Sequence, residues 1–244
     1  MADPVAELKE KVALACRILA DQGLVSDILG HVSARIPGTE EMVIRCRGED
    51  EYGLPFTTAD AIRRVDFNGR GEELTERYQA PLELPIHGEI YKVRPEVGAV
   101  IHAHPPAAVA CGIAGLELRP IFGAFNVPAM RMALEGIPVF PRAVLISRAE
   151  LAAEMLAVMG SKEVCLLRGH GITVTGRTVE EATVRAVNLE ILARMTLEVA
   201  KTGKVAPDIE WADIAEFAHR GPVLPGSERW VWRYLARMVE RHER

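Results

Sequence analysis

The sequence predicts an α/β protein with a central, mainly antiparallel sheet and helices on its sides. Helix-period apolar stripes alternate with short strand-like runs along the 244 residues. The proposed strands come in neighbouring runs joined by short turns. Such turns favour antiparallel pairing, because parallel strands need a crossover of a dozen or more residues. No internal repeat, low-complexity tract or linker interrupts the chain. Residues 1–244 are therefore read as one domain, with 206–244 as a helical tail.

Residues 5–22 carry Val5, Leu8, Val12, Ala15, Ile18 and Leu19 on one stripe, a helix that stops at Gly23. A glycine turn at Gly30 leads into a strand through His31, Ser33 and Arg35. Glu41–Arg47 alternates and pairs with it, placing Arg45 and Arg47 on one face and Met42, Ile44 and Cys46 on the other. Thr57-Thr-Ala-Asp60 suits the cap of a short helical turn. Arg64–Asn68 reads as a strand ending in an Asn-Gly turn, followed by a loop with little pattern to Pro81. Glu83–Arg94 is helical, with Glu83 and His87 on one face, and stops before Pro95.

Gly98–His104 is a strand and Ala107–Ile113 a helix, whereas Leu118–Val127 is irregular or a strand with a loop. Ser147-x-x-Glu150 has the form of a capping box that opens a helix to about Met159. Glu163–Arg168 and Ile172–Thr175 read as strands around a Gly-His-Gly turn. Thr178-x-x-Glu181 is a second such box, opening a long helix to about Lys201 that Gly203 ends. The tail carries Trp230, Trp232 and Tyr234, either a packed helix face or a cap over a neighbouring subunit's site.

Composition narrows the function classes. The net charge is −5 and no strong basic patch is visible, which argues against nucleic acid as a partner. No apolar run reaches the ~18 residues of a membrane span. The first residues lack a basic region followed by an apolar one, so a cytoplasmic protein is expected. Cys16, Cys46, Cys111 and Cys165 are scattered without a Cys-x-x-Cys pair and read as reduced cysteines, three of them in apolar segments. Dinucleotide, P-loop and esterase-elbow signatures are absent.

The chemistry centres on Val100-Ile-His102-Ala-His104-Pro. Side-chain direction repeats every two residues in a strand, so His102 and His104 point the same way and form a natural metal half-site. His170, between two glycines, is a third imidazole. Three neutral imidazoles can hold Zn²⁺ or Mn²⁺ and leave positions open for a substrate. Satisfied core histidines are the competing reading, and spacing alone leaves both open. Glu83 is the candidate acid/base, against the plainer reading of a glutamate placed to suit a helix dipole.

Four stretches together, Gly30-His-Val-Ser33-Ala-Arg35, Glu83-Leu-Pro-Ile-His87, Val100-Ile-His102-Ala-His104-Pro and Arg168-Gly-His170-Gly, resemble the class II aldolase/adducin family in order and spacing. The resemblance covers roughly residues 5–200. It implies an α/β/α sandwich and a homotetramer with sites at subunit interfaces. It implies one divalent metal ion per subunit on His102, His104 and His170, with Glu83 as a ligand or acid/base. Adducin-like members lack the metal and act as binding modules.

The departures from the family's sugar-phosphate aldolases concern the phosphate cradle. His31 stands where those enzymes carry asparagine, Arg47 where they carry a hydroxyl residue, and Pro81-Leu82 where they carry two serines. Proline has no N–H, leucine offers no side-chain donor, and the Arg47 fork suits a carboxylate. The chain is most similar to members that decarboxylate hydroxylated aromatic acids such as 3,4-dihydroxyphthalate. That implies an aromatic acid substrate, with Arg47, His31 and Ser33 as the residues that bind it. A retro-aldolase for a non-phosphorylated keto or hydroxy acid and a metal-free adducin-like module are the other two readings.

Overall fold

Alternation along each strand sorts side chains onto two faces, and two apolar cores follow that sorting. The computed structural model describes residues 3–49, 51–219 and 227–242. Its strands are β1 His31–Arg35, β2 Glu41–Arg45, β3 Arg47–Gly48, β4 Ile62–Asp66, β5 Tyr78–Gln79, β6 Ala99–Ala103, β7 Val139–Phe140, β8 Val164–Leu167 and β9 Gly171–Gly176. The helices are α1 Pro4–Asp21, α2 Leu84–Val93, α3 Pro106–Ala114, α4 Val127–Glu135, α5 Ala149–Met159, α6 Val179–Lys201, α7 Trp211–His219 and α8 Ser227–His242.

Seven strands form one sheet in the order β4-β2-β1-β6-β9-β8-β7, antiparallel except for the β7–β8 pair. The sheet is thus mixed, with a single parallel edge. Val32, Ala34, Ile101, Ala103, Ile172 and Val174 face one core, shared with α1, α3, α4, α6 and α8. Met42, Ile44, Val100, Cys165 and Leu167 face the other, shared with α2 and α5. All four cysteines are buried and free. No helix among the described residues is long and apolar enough to cross a membrane.

Several local expectations need correction. Arg148, not Ser147, is the N-cap residue of α5, and no side chain caps it, so the first capping box does not form. The second does: Thr178 accepts from the Glu181 N–H, while Glu181 reaches back to the Arg177 N–H. Thr58 precedes a short 3₁₀ turn at Ala59–Ala61 without a side-chain cap. The segment around Leu118–Val127 holds no strand; instead Asn126 caps α4, a helix the periodicity did not reveal. The two-residue strands β5 and β7 are too short to leave an alternation.

Arg45 and Arg47 do not share a surface. Arg45 ends β2, is buried, and pairs with Glu51 and the Ile28 carbonyl. Arg47 leaves the main sheet and joins Gln79 in the separate β3–β5 ribbon. The tail aromatics also divide. Trp232 packs against the first core beside the buried Leu235 and Val239, but Trp230 and Tyr234 are exposed.

Candidate metal centre

The face-sorting that builds the second core also places the polar site. His31 and Ser33 on β1 and His102 on β6 point toward α2, in register: His31 lies opposite His102. His104 follows one step beyond the end of β6. His170 sits in the tight turn between β8 and β9, where Gly169 has φ +66°. Gly171 is required by proximity: a Cβ there would lie 2.3 Å from the Ala103 carbonyl oxygen and 2.6 Å from His104 Cδ2. Its missing side chain lets the turn close onto His104.

Glu83 stands at the N-terminal boundary of α2 but does not cap it. Its Oε1 accepts from the Ile146 N–H at 2.8 Å. Its Oε2 lies 3.2 Å from His102 Nε2 and 3.3 Å from His170 Nε2. The His102 and His104 Nε2 atoms are 2.8 Å apart. One ligand atom from each of Glu83, His102, His104 and His170 falls within 4.8 Å of every other.

That donor set fits a divalent cation. His102 Nδ1 is 3.0 Å from the Ile172 carbonyl, which can only accept, so Nδ1 carries a proton. With that one proton on the ring, the Nε2 lone pair aims at a Glu83 carboxylate oxygen. Burial, with help from the neighbouring rings, pushes His104 down to about 4, so this ring is neutral near pH 7. Burial raises the Glu83 carboxyl, but an Nε2–H or positive charge at His102 and His170 acts more strongly the other way, so with a proton or cation shared in the cluster the group ionises well below the usual carboxylate range. An ionised carboxylate therefore faces imidazole nitrogens in a nearly dry site. A shared proton relieves one acceptor pair; a divalent ion serves all four groups at once. The bond from His102 to Ile172 is the outer contact that orients a ligand imidazole. Among the described residues His170 has no such bond, and its Nδ1 is buried without a partner.

The His104 side of the site is held from behind. Pro105 and Pro106 start α3 without a side-chain cap. The buried Glu190 of α6 accepts from the Ala107 and Ala108 N–H groups at 3.1 and 3.0 Å and also pairs with Arg194. Its charge sits at the positive end of α3 and fixes the segment that follows His104.

A second histidine pair adjoins the first cluster. His31 Nδ1 is 2.6 Å from His87 Nε2, and the His31 ring lies 5.0 Å from that of His102, centroid to centroid. His87 Nδ1 is 2.6 Å from Ser33 Oγ, which is 2.8 Å from the Tyr91 hydroxyl. Burial pushes His87 down to about 3 and His31 well below its ordinary value. Ser33 is fully buried and its hydroxyl is occupied by His87 and Tyr91, so this packing does not give it the direct substrate contact expected of it. His31 lies at the edge of the cluster, next to His102.

Arg47 is exposed, and its side chain makes no hydrogen bond or ion pair to another described residue. Its partner Gln79 lies four residues before Glu83, so the ribbon ties Arg47 to the chain entering the site. Sequence reasoning set His87 on the Glu83 face, as an alternative acid, but did not anticipate the buried network that joins His87 to Tyr91, nor Glu190 as a support. The signal for the first two was present: Glu83, His87 and Tyr91 recur every four residues, a polar line on an apolar helix. Glu190 left no comparable trace.

A family model described as the Class II Aldolase and Adducin N-terminal domain matches residues 10–197. A 3,4-dihydroxyphthalate decarboxylase of Arthrobacter keyseri is 47% identical over 236 residues, covering 94% of this chain and 93% of the relative. One of the same name from Terrabacter sp. (strain DBF63) is 44% identical, covering 94% and 96%. Among solved structures, an aldolase II superfamily protein from Pseudomonas syringae has a TM-score of 0.85 at 22% identity, over 99% of this chain and 95% of that one. An L-fuculose 1-phosphate aldolase from Glaciozyma antarctica PI12 has a TM-score of 0.79 at 20% identity, over 98% and 90%. These last two likenesses concern the fold. With the family model spanning most of the chain and relatives at 44–47% identity along nearly all of it, the chain belongs to the class II aldolase and adducin family.

Proposed function

We propose that this chain is a metal-dependent carboxy-lyase that removes carbon dioxide from a hydroxylated aromatic acid such as 3,4-dihydroxyphthalate. The observation that carries the reading is the 44–47% identity, over nearly the whole chain, to decarboxylases named for that substrate. The convergence of Glu83, His102, His104 and His170 supports the metal dependence. These four residues would hold the ion, with zinc or manganese suited to three imidazoles and a carboxylate. When bound, the ion supplies Lewis-acid charge that stabilises an electron-rich ring during decarboxylation.

The protein's own groups divide the remaining work. Glu83 is held ionised, which favours an anionic ligand over a stored proton. The guanidinium of Arg47, unpaired among the described residues, suits a substrate carboxylate, to which it can donate two parallel hydrogen bonds. Leu82 is exposed immediately before Glu83 and offers an apolar surface where a serine hydroxyl would favour phosphate. His31, beside His102, completes the binding set. The exposed Trp230, Tyr234 and Phe125 suit a contact between copies in a homotetramer with sites at the subunit interfaces, acting in the cytoplasm.

The direct test is incubation of metal-loaded protein with 3,4-dihydroxyphthalate. Carbon dioxide and a dihydroxybenzoate are the expected products, and a chelator stops their formation. Release of pyruvate and an aldehyde from a hydroxy-keto acid, with no carbon dioxide from the phthalate, supports a retro-aldolase instead. Absence of metal together with both activities points to an interaction module.

A further inference from the structure

We infer that Tyr91, Ser33 and His87 form a one-way hydrogen-bond chain that fixes the His31 tautomer, so that His31 presents an Nε2–H donor to the ligand beside His102. The inference rests on the proposed function for the identity of that ligand, a carboxylate or phenolic oxygen. It does not rest on it for the tautomer.

The direction follows from satisfying each buried group in turn. The Tyr91 side chain is buried, and among the described residues Ser33 Oγ is its hydroxyl's side-chain partner, at 2.8 Å. A phenol has one proton to donate, and here it goes to Ser33. Ser33 has one hydroxyl proton of its own, and its other partner is His87 Nδ1 at 2.6 Å. His87 Nδ1 therefore accepts. A neutral His87 then carries its proton on Nε2 and donates it to His31 Nδ1 at 2.6 Å. A neutral His31 is left with its proton on Nε2. Each ring accepts a hydrogen bond at one nitrogen, so each carries a single proton.

The reverse polarity fails at its far end. If His31 Nδ1 donated, the protons would run through His87 and Ser33 onto the Tyr91 oxygen, leaving the phenolic proton in a buried site without an acceptor. An unsatisfied buried donor of this kind is disfavoured. Tyr91 cannot readily turn away. Arg35 stacks on its ring at 4.8 Å while donating to the Tyr91, Arg94 and Val97 carbonyls, which locks the end of α2. At the near end, His31 Nε2 has no protein partner among the described residues and, unlike His170 Nδ1, is not sealed from solvent. The β1–β6 register sets this nitrogen next to His102. Tyr91 and His87 are thus positioning residues, acting on substrate only through His31.

Long-range ¹H–¹⁵N spectra of histidine-labelled, zinc-loaded protein read the tautomers directly, with His31→Gln and His87→Gln spectra giving the assignments. The expected result is Nε2–H for both rings in the wild type. In Tyr91→Phe, which keeps the ring packing and removes the terminal donor, the His31 preference collapses toward a mixture while zinc content stays the same. His31 protonated on Nδ1 in the wild type overturns the inference, as does an unchanged His31 signal in Tyr91→Phe. In turnover assays Tyr91→Phe and His31→Asn raise KM by about tenfold, the scale of one hydrogen bond to a charged group, and His31→Gln, whose amide N–H can take the Nε2 place, recovers part of it. Equal effects of Asn and Gln contradict the donor role. Should the protein not decarboxylate the phthalate at all, the spectra still decide the tautomer, so the two readings fail separately.

Discussion

Two histidine clusters lie side by side on one face of the sheet, and they differ in how their nitrogens are satisfied. In one, His31, His87, Ser33 and Tyr91 form a continuous run of donors and acceptors with contacts of 2.6–2.8 Å. In the other, His102, His104 and His170 aim nitrogens at one another and at an ionised Glu83. The same residue type has each nitrogen but His31 Nε2 satisfied in the first place and set against other acceptors in the second. What distinguishes a ligand histidine here is a surplus of acceptors around one point, which only a cation removes. Proximity alone does not separate the two clusters.

Substitutions sharpen that contrast. The largest effect is expected from His102→Ala, His104→Ala or His170→Ala: metal and activity fall together, activity by about 10³-fold or more if the ion supplies several kcal/mol to the reaction. Paired metal analysis and turnover measure this. Arg47→Ala, outside both clusters, should leave metal content unchanged and raise KM by roughly ten- to a hundredfold, the scale of a charge-assisted hydrogen bond of ~1.5–3 kcal/mol. Retained wild-type saturation would reject its carboxylate role.

Glu190→Ala leaves the Ala107 and Ala108 N–H groups without acceptors and should cost about 1–3 kcal/mol in denaturant unfolding, with weaker metal retention through His104. A last effect concerns pH. His87 titrates near 3 in the folded chain against an ordinary 6.5, so the unfolded chain takes up its proton first as pH falls. Stability from this group is complete above 6.5 and is lost between there and about 3, at up to ~1.4 kcal/mol per pH unit. Unfolding midpoints of chelator-treated protein should fall across that window, and less steeply in His87→Gln.

Much of this site was legible in the chain because strand periodicity reports direction. His102 and His104, two residues apart, had to share a face, and two glycines marked the turn that carries His170. The helix starting near Glu83 also showed itself. Less visible was whatever depends on side chains meeting across elements. The fate of Arg45 turns on Glu51 and the Ile28 carbonyl, and that of Glu190 on a helix end more than eighty residues earlier. Ser33 looked like a ligand contact until α2 packed over it. The false capping box at Ser147 has the right residue types, but the chain enters α5 one residue later. The strands at Val139–Phe140 and Tyr78–Gln79 are simply too short to leave a pattern.

The most direct measurement is equilibrium binding of Zn²⁺ or Mn²⁺ to chelator-stripped protein, comparing wild type with His102→Ala and His87→Gln. One ion per chain is expected in the wild type, with loss of that ion in His102→Ala and its retention in His87→Gln. Undiminished binding in His102→Ala, or none in the wild type, would contradict it.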